Sequence, residues 1–152
     1  MSDTRQFSTF HLADLFLGVE VTRVQEVIRY QPMTRVPLAP PVVHGLINLR
    51  GQIVTAIDLR RRLGLEARAE DRRPMNVVVR TPDGPVSLLV DEIGDVLELR
   101  SDLMERPPAT LKNEAAQLTS AVYKLDDRLL LVLDLDKTTD LSEYAHATNN
   151  EN

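Results

Sequence analysis

Leu46-Ile47-Asn48-Leu49-Arg50-Gly51-Gln52-Ile53-Val54-Thr55-Ala56-Ile57-Asp58 is the stretch that decides the fold. Two short runs, Leu46 to Arg50 and Gln52 to Asp58, meet at Gly51. Runs of this length, rich in Ile and Val and broken by a turn residue, read as paired strands. The same pattern recurs on both sides. Downstream, Val77 to Arg80 and Val86 to Val90 flank Pro82-Asp83-Gly84-Pro85, where Asp-Gly supplies a tight turn. Upstream, Gln6 to Leu12 and Leu15 to Val19 form a first pair linked by Ala13-Asp14. Leu15, Leu17 and Val19 share one face of that second strand, and Phe16 points to the other. Val96 to Arg100 alternates in the same way, with Gly94 marking a bulge before it. Ala121 to Leu125 and Arg128 to Leu133 make a last hairpin across Asp126-Asp127. Many short strands separated by turns predict an all-β barrel or sandwich.

A few segments depart from that pattern. Val21, Val24 and Ile28 fall at i, i+3 and i+7, which predicts a short amphipathic helix over Val21 to Arg29. Pro32, Pro37 and Pro40-Pro41 predict an extended, turning connection, with a short helical turn around Pro41 to His44. A helical turn over Leu59 to Leu63 precedes the charged stretch Glu66 to Arg73, read as a loop. Ser101 to Glu114 is polar and contains proline, and the tail Ala145 to Asn152 has the composition of a disordered end. No repeat is visible in the residues themselves.

Composition removes several function classes. The chain has 152 residues and no cysteine, which excludes disulfides, a thiolate nucleophile and a cysteine metal site. His11, His44 and His146 have no second ligand at a metal-binding spacing, so no metal site is expected. A net charge of −5 argues against nucleic acid as a partner. The start, Met1 to Arg5, lacks the apolar core of a signal peptide, and no apolar run approaches the ~20 residues of a membrane span. The expectation is a cytoplasmic protein that does not itself insert into a membrane. The basic clusters Arg60-Arg61-Arg62 and Arg72-Arg73 are expected on solvated faces.

One segment imitates an active site. Leu130-Leu131-Val132-Leu133-Asp134-Leu135-Asp136-Lys137-Thr138 resembles the first motif of haloacid-dehalogenase-type phosphatases, which would make Asp134 and Asp136 a magnesium-dependent catalytic pair. That chemistry needs a parallel α/β sheet after the motif, each βαβ unit taking about 30 residues or more, and the hairpin-rich context does not supply one. The alternative is a final strand leaving the core, with both aspartates at the start of a short helix, where acidic groups are favourable.

Gly45-Leu46-Ile47-Asn48-Leu49-Arg50-Gly51, the apolar strand after it and the Asp58-Leu59-Arg60 end resemble the signature of the CheW family of chemotaxis coupling proteins. Val24-Gln25-Glu26-Val27 and Leu89-Val90-Asp91-Glu92-Ile93-Gly94-Asp95-Val96-Leu97 resemble two further motifs of that family, so the likeness runs from about Phe7 to Leu141. Thr55 stands where the family commonly has proline.

The resemblance implies an all-β fold of two intertwined five-stranded SH3-like barrels with short helices, over residues 5–141, followed by a polar tail, 142–152. It implies a non-catalytic adaptor without cofactors, joining the cytoplasmic tip of a methyl-accepting chemoreceptor to the regulatory domain of a CheA-type histidine kinase. Such an adaptor sits in membrane receptor arrays only through its partners. The same fold could instead serve a different motility or signalling pathway. The implied receptor surface is Val24, Glu26, Val27, Gly45, Asn48, Arg50 and Gly51; the implied kinase surface is Met75 and Val77. Residue chemistry leaves bland roles open for each. Arg50 could pair with Asp58 or Glu20, Glu26 with Arg23 or Arg29, the glycines could be backbone devices, and Val77 suits a core position equally.

Overall fold

The computed structural model describes residues 3–144; the tail Ala145 to Asn152 lies outside the described residues. The described chain is all-β, with ten strands and a few short helical segments. In order they are β1 (Thr4–Leu12), β2 (Leu15–Glu20), β3 (Val24–Ile28), β4 (Val43–Leu49), β5 (Gln52–Asp58), α1 (Leu59–Arg62), β6 (Met75–Thr81), β7 (Gly84–Val90), β8 (Glu92–Arg100), α2 (Asn113–Leu118), β9 (Thr119–Lys124), β10 (Leu129–Leu133) and α3 (Leu135–Thr139).

The strands form two five-stranded sheets, ordered β8-β1-β2-β10-β9 and β3-β6-β7-β5-β4. The two orders are one topology used twice. Each sheet has a central hairpin, β1–β2 or β6–β7, whose second strand pairs in parallel with β10 or β5, itself part of a second hairpin. Each sheet also has a donated edge. β3 follows the first hairpin but pairs with β6, and β8 follows the β6–β7 hairpin but pairs with β1. The two halves have therefore exchanged strands. The repeat is structural, which is why the residue pattern hides it. Each sheet also bends until the chain leaving one edge meets the other edge, through the single bridges Thr34–Leu46 and Glu105–Val122.

Burial follows this arrangement. Phe10, Leu17 and Val19 from one sheet meet Ile57, Val77, Val79 and Leu88 from the other in a shared core. Phe7, Phe16, Tyr123 and Leu130 fill the first sheet's own interior, and Ile47, Leu49, Val54 and Val78 fill the second's. Phe16 thus lies on the opposite face from Leu17 and Val19, as the alternation predicts.

The predicted helix over Val21 to Arg29 is corrected. Only Val21–Arg23 is helical, a single 3-10 turn, and Val24–Ile28 is an edge strand. A bulge at Gln25 shifts the register between Val24 and Glu26, so apolar residues recur at a spacing that imitates a helix. Pro40 to Val43 is a hydrogen-bonded turn, not a helical one, with β4 starting at Val43. α2 falls at the end of a region read only as polar. Ser142 to Tyr144, expected in a free tail, are held: Glu143 pairs with Arg62 at 2.9 Å, and the Arg62 guanidinium lies over the Tyr144 ring.

The predicted bulge at Gly94 is present. Ser8 pairs with Val96 and Phe10 with Ile93, leaving Gly94 and Asp95 opposite Thr9 alone. A Cβ at Gly94 would come within 2.5 Å of Thr9 Oγ1, so no larger residue fits without movement.

Candidate functional site

The β4–β5 hairpin closes on Arg50-Gly51, both at positive φ (51° and 86°) between the paired residues Leu49 and Gln52. A two-residue loop with both φ values positive is the hairpin turn that matches strand twist. Gly51 adopts it freely; for Arg50 the left-handed region costs about 1–2 kcal/mol. Asn48 offsets part of this, its Oδ1 accepting from Gly51 N at 2.9 Å. A strained non-glycine at an exposed tip is a common mark of a functional position.

Arg50 Nη2 donates to Glu26 Oε2 on β3. Neither expected partner of Arg50 is used this way: Asp58 caps α1 and lies near Arg61, and Glu20 pairs with Arg5. Arg23, expected beside Glu26, binds Arg80 O and Asp136 instead. The Arg50 side chain is 72% exposed and that of Glu26 20%. Glu26 Oε1 is buried and has no hydrogen-bond partner. The pair leaves guanidinium donors open to solvent and one carboxylate oxygen with unused capacity.

Two partly exposed apolar residues follow the pair along the chain, on the opposite face of the sheet from Glu26. Val27 is 38% exposed on β3, and Ile53 is 60% exposed on β5 in register with Asn48. Ile53 was not singled out in the sequence. The available signal was its parity: it shares a strand face with Thr55 rather than with the buried Val54. Gly45 touches the site only through the backbone. A Cβ there would fall 2.8 Å from Thr34 O, against the bridge that joins the sheet's edges. Val24 packs on the shared core. The exposed guanidinium at the hairpin tip keeps donors that a carboxylate or carbonyl could accept from.

Residues 6–143 match the family described as the CheW-like domain. The chain belongs to that family. Among its relatives, the chemotaxis protein CheW of Klebsiella aerogenes is 28% identical over 145 residues, covering 95% of this chain and 87% of the relative. That of Bacillus subtilis is 30% identical over 123 residues, covering 81% and 79%. The crystal structure of the scaffolding protein TtCheW from Thermoanaerobacter tengcongensis has a TM-score of 0.81 at 25% identity, covering 93% of this chain and 91% of that one.

Within this CheW-like domain, two of the family motifs meet in the interior. Asp91, at the crossover from β7 to β8, accepts from Arg60 Nε at 3.0 Å and Nη2 at 2.6 Å, Arg68 Nε at 2.9 Å and Ala13 N at 2.8 Å. Burial pushes the Asp91 carboxyl up, but the bonds from Arg60, Ala13 and Arg68 outweigh it and hold its pKa at about 2. The Asp58-Leu59-Arg60 and Val90-Asp91 motifs thus tie the two sheets together. Arg62 does the same from α1, donating to the carbonyls of Thr138 and Lys137 beside α3. The expectation that Arg60 and Arg62 sit on solvated faces is therefore corrected, because a half-buried carboxylate holds Arg60 and the buried Thr138 carbonyl holds Arg62.

Met75 is half-buried at the start of β6 and pairs with Val90. Val77 is fully buried in the shared core, so its side chain presents no surface.

The phosphatase-like motif also resolves into architecture. Asp134 caps α3, accepting from Lys137 N at 3.1 Å, as Asp58 caps α1 after the equivalent strand of the other sheet. Asp136 is exposed and pairs with Arg23. Among the described residues, no three His, Asp or Glu side chains gather where they could hold a metal ion, and no helix is long and apolar enough to cross a membrane.

Proposed function

We propose that this chain is a non-catalytic chemotaxis adaptor that couples a methyl-accepting chemoreceptor to a CheA-type histidine kinase. The observation that carries the reading is the Arg50–Glu26 pair, held at an exposed hairpin tip in a strained backbone. Membership of the CheW-like family supports the same reading, as does similarity to a solved scaffolding protein.

In this reading the receptor's cytoplasmic tip, a helical hairpin, docks against Val27, Asn48, Arg50 and Glu26. A carboxylate on the receptor helix takes the free face of the guanidinium, and apolar anchors cover Val27 and Ile53. Val24, Gly45 and Gly51 shape the surface without forming its energetic centre. The kinase's regulatory domain meets β6 near Met75, with Val77 holding that strand from inside. Adaptor action follows from occupying both surfaces at once, so that receptor state biases the kinase between conformations. The protein acts in the cytoplasm and joins receptor arrays through these contacts.

Calorimetric titration into the regulatory domain of a CheA-type kinase from the same organism tests this. Saturable one-to-one binding is expected. No binding by the folded protein to any such domain encoded there would remove the circuit while leaving the fold intact.

A further inference from the structure

At the other end of the β4–β5 hairpin from Arg50 lies a cleft of about 560 Å³ whose charge runs against that of the whole chain. Among the described residues Arg35, Arg61, Arg68, Arg72 and Arg73 line it, against the carboxylates Asp58 and Glu70, although the protein carries a net −5. Asp58 is already engaged with the α1 N-terminus and lies 3.7 Å from Arg61. Arg73 stacks on the Tyr30 ring at 5.1 Å, and Arg68 binds Asp91 with its Nη2 left unpaired in the wall. Arg35 and Arg72 are exposed and make no ion pair or side-chain hydrogen bond among the described residues. Arginines in excess of the carboxylates beside them repel one another, and an anion relieves that repulsion.

A second, independent feature lies between two of the lining residues, Val36 and Ala39. Ala39 N bonds Val36 O at 3.3 Å, closing a turn through Pro37 and Leu38. Leu38 has φ 67° and is 96% exposed. Proline followed by a positive φ is the pattern of a type II turn, whose third position favours glycine or asparagine. Leucine there carries a backbone penalty and gains no burial in return. The result is an almost fully exposed apolar side chain three residues from Arg35.

We infer that this cleft is a second docking surface, for an acidic segment of a partner protein that also carries apolar side chains. Carboxylates would meet Arg35 and Arg72, and an apolar residue would seat on Leu38 and Val36. The arginines line a concavity and a single large apolar residue projects, which suits a polypeptide better than a flat bilayer. Val43 pairs with Ile57 at this end and Leu49 with Gln52 at the Arg50 end. Seven strand residues separate the ends by roughly 20 Å, so both surfaces are open together. The inference goes beyond receptor and kinase coupling and does not depend on it.

The test is fluorescence anisotropy of the full-length protein with a labelled glutamate–tyrosine copolymer. Saturable binding that weakens with salt is expected, lowered more than about tenfold by R35E/R72E and about threefold by Leu38→Asn, which keeps the turn geometry. R100E/R106E makes the same charge change at exposed positions of the other sheet and should bind like the parent. Absence of binding, or equal losses in the two charge-reversed variants, overturns the proposal. So does displacement of the copolymer by inorganic phosphate at equal carboxylate-to-phosphate ratio, which would mark a small-anion site. Binding to phosphatidylglycerol vesicles that the copolymer cannot displace would mark a membrane surface and overturn it as well.

Discussion

Arg50 and Glu26 join the two margins of one sheet: Arg50 tips the hairpin that carries edge strand β4, and Glu26 lies on β3, the opposite edge. The Thr34–Leu46 bridge spans the same gap nearby. Whatever docks on the pair therefore touches both edges, although the residues are far apart in sequence.

Replacing Arg50 should separate stability from function. Arg50→Asn removes the guanidinium but suits a positive φ followed by glycine. Losing the arginine leaves the largely buried Glu26 carboxylate without its partner, a cost of about 1 kcal/mol or more that relief of backbone strain partly offsets. Thermal melting should thus fall only slightly while binding to a soluble receptor-tip fragment falls strongly. A melting loss as large as that from deleting a core side chain would show that Arg50 is structural.

Asp91 should govern the acid limb of stability. Its pKa is lowered from 3.8 to about 2, so the native carboxylate contributes stability that is fully present above about pH 4. That contribution, about 2 kcal/mol, is lost as the pH falls from about 4 through 2. Asp91→Asn should lose a similar amount at neutral pH and show a flatter pH dependence across that window, measured by urea unfolding. An unchanged acid limb would place the sensitivity elsewhere.

Gly94→Ala should destabilise by about 1–3 kcal/mol, because its Cβ would meet Thr9 Oγ1 at 2.5 Å. Thr9→Ala removes that oxygen, so the double variant should recover part of the loss. A purely additive double-mutant cycle would mean the clash is not the cause.

Asp134 distinguishes a helix cap from an acid. Asp134→Asn keeps a capping oxygen and should be nearly neutral, whereas Asp134→Ala should cost about 1 kcal/mol in chemical denaturation. Phosphate-ester hydrolysis that disappeared on Asp134→Asn would contradict this assignment.

The strand pairs were legible because each hairpin carries its own alternation and turn residues. The Gly94 bulge was legible because glycine inside a strand pattern has few other reasons to be there. β3 was not legible: a bulge at Gln25 breaks its alternation, and the strand exists only because β6 accepts it from the other half of the chain. In the candidate site, Arg50 and Glu26 each stand out in the sequence but their pairing does not, since no local pattern records which edges a bent sheet brings together. Arg60 and Arg62 misled for the opposite reason. A run of arginines looks solvated until acceptors on distant elements are known. Asp134-Leu135-Asp136 imitates a phosphatase nucleophile strand because a capped helix after an apolar strand has the same residue pattern, and the hairpin-rich context is what favours the helix reading.

The reciprocal exchange of β3 and β8 also sets the order of events during synthesis. β2 emerges early, yet its parallel neighbour β10 begins only at Leu129. At ribosomal speed the roughly 110 intervening residues take on the order of ten seconds. Until β8 emerges the first hairpin waits with both edges unpaired, and from then until β10 with one, a template for any other nascent strand. The half-made protein should thus depend more on chaperones than the finished one, and a chain cut short before β8 should aggregate rather than fold into a smaller domain.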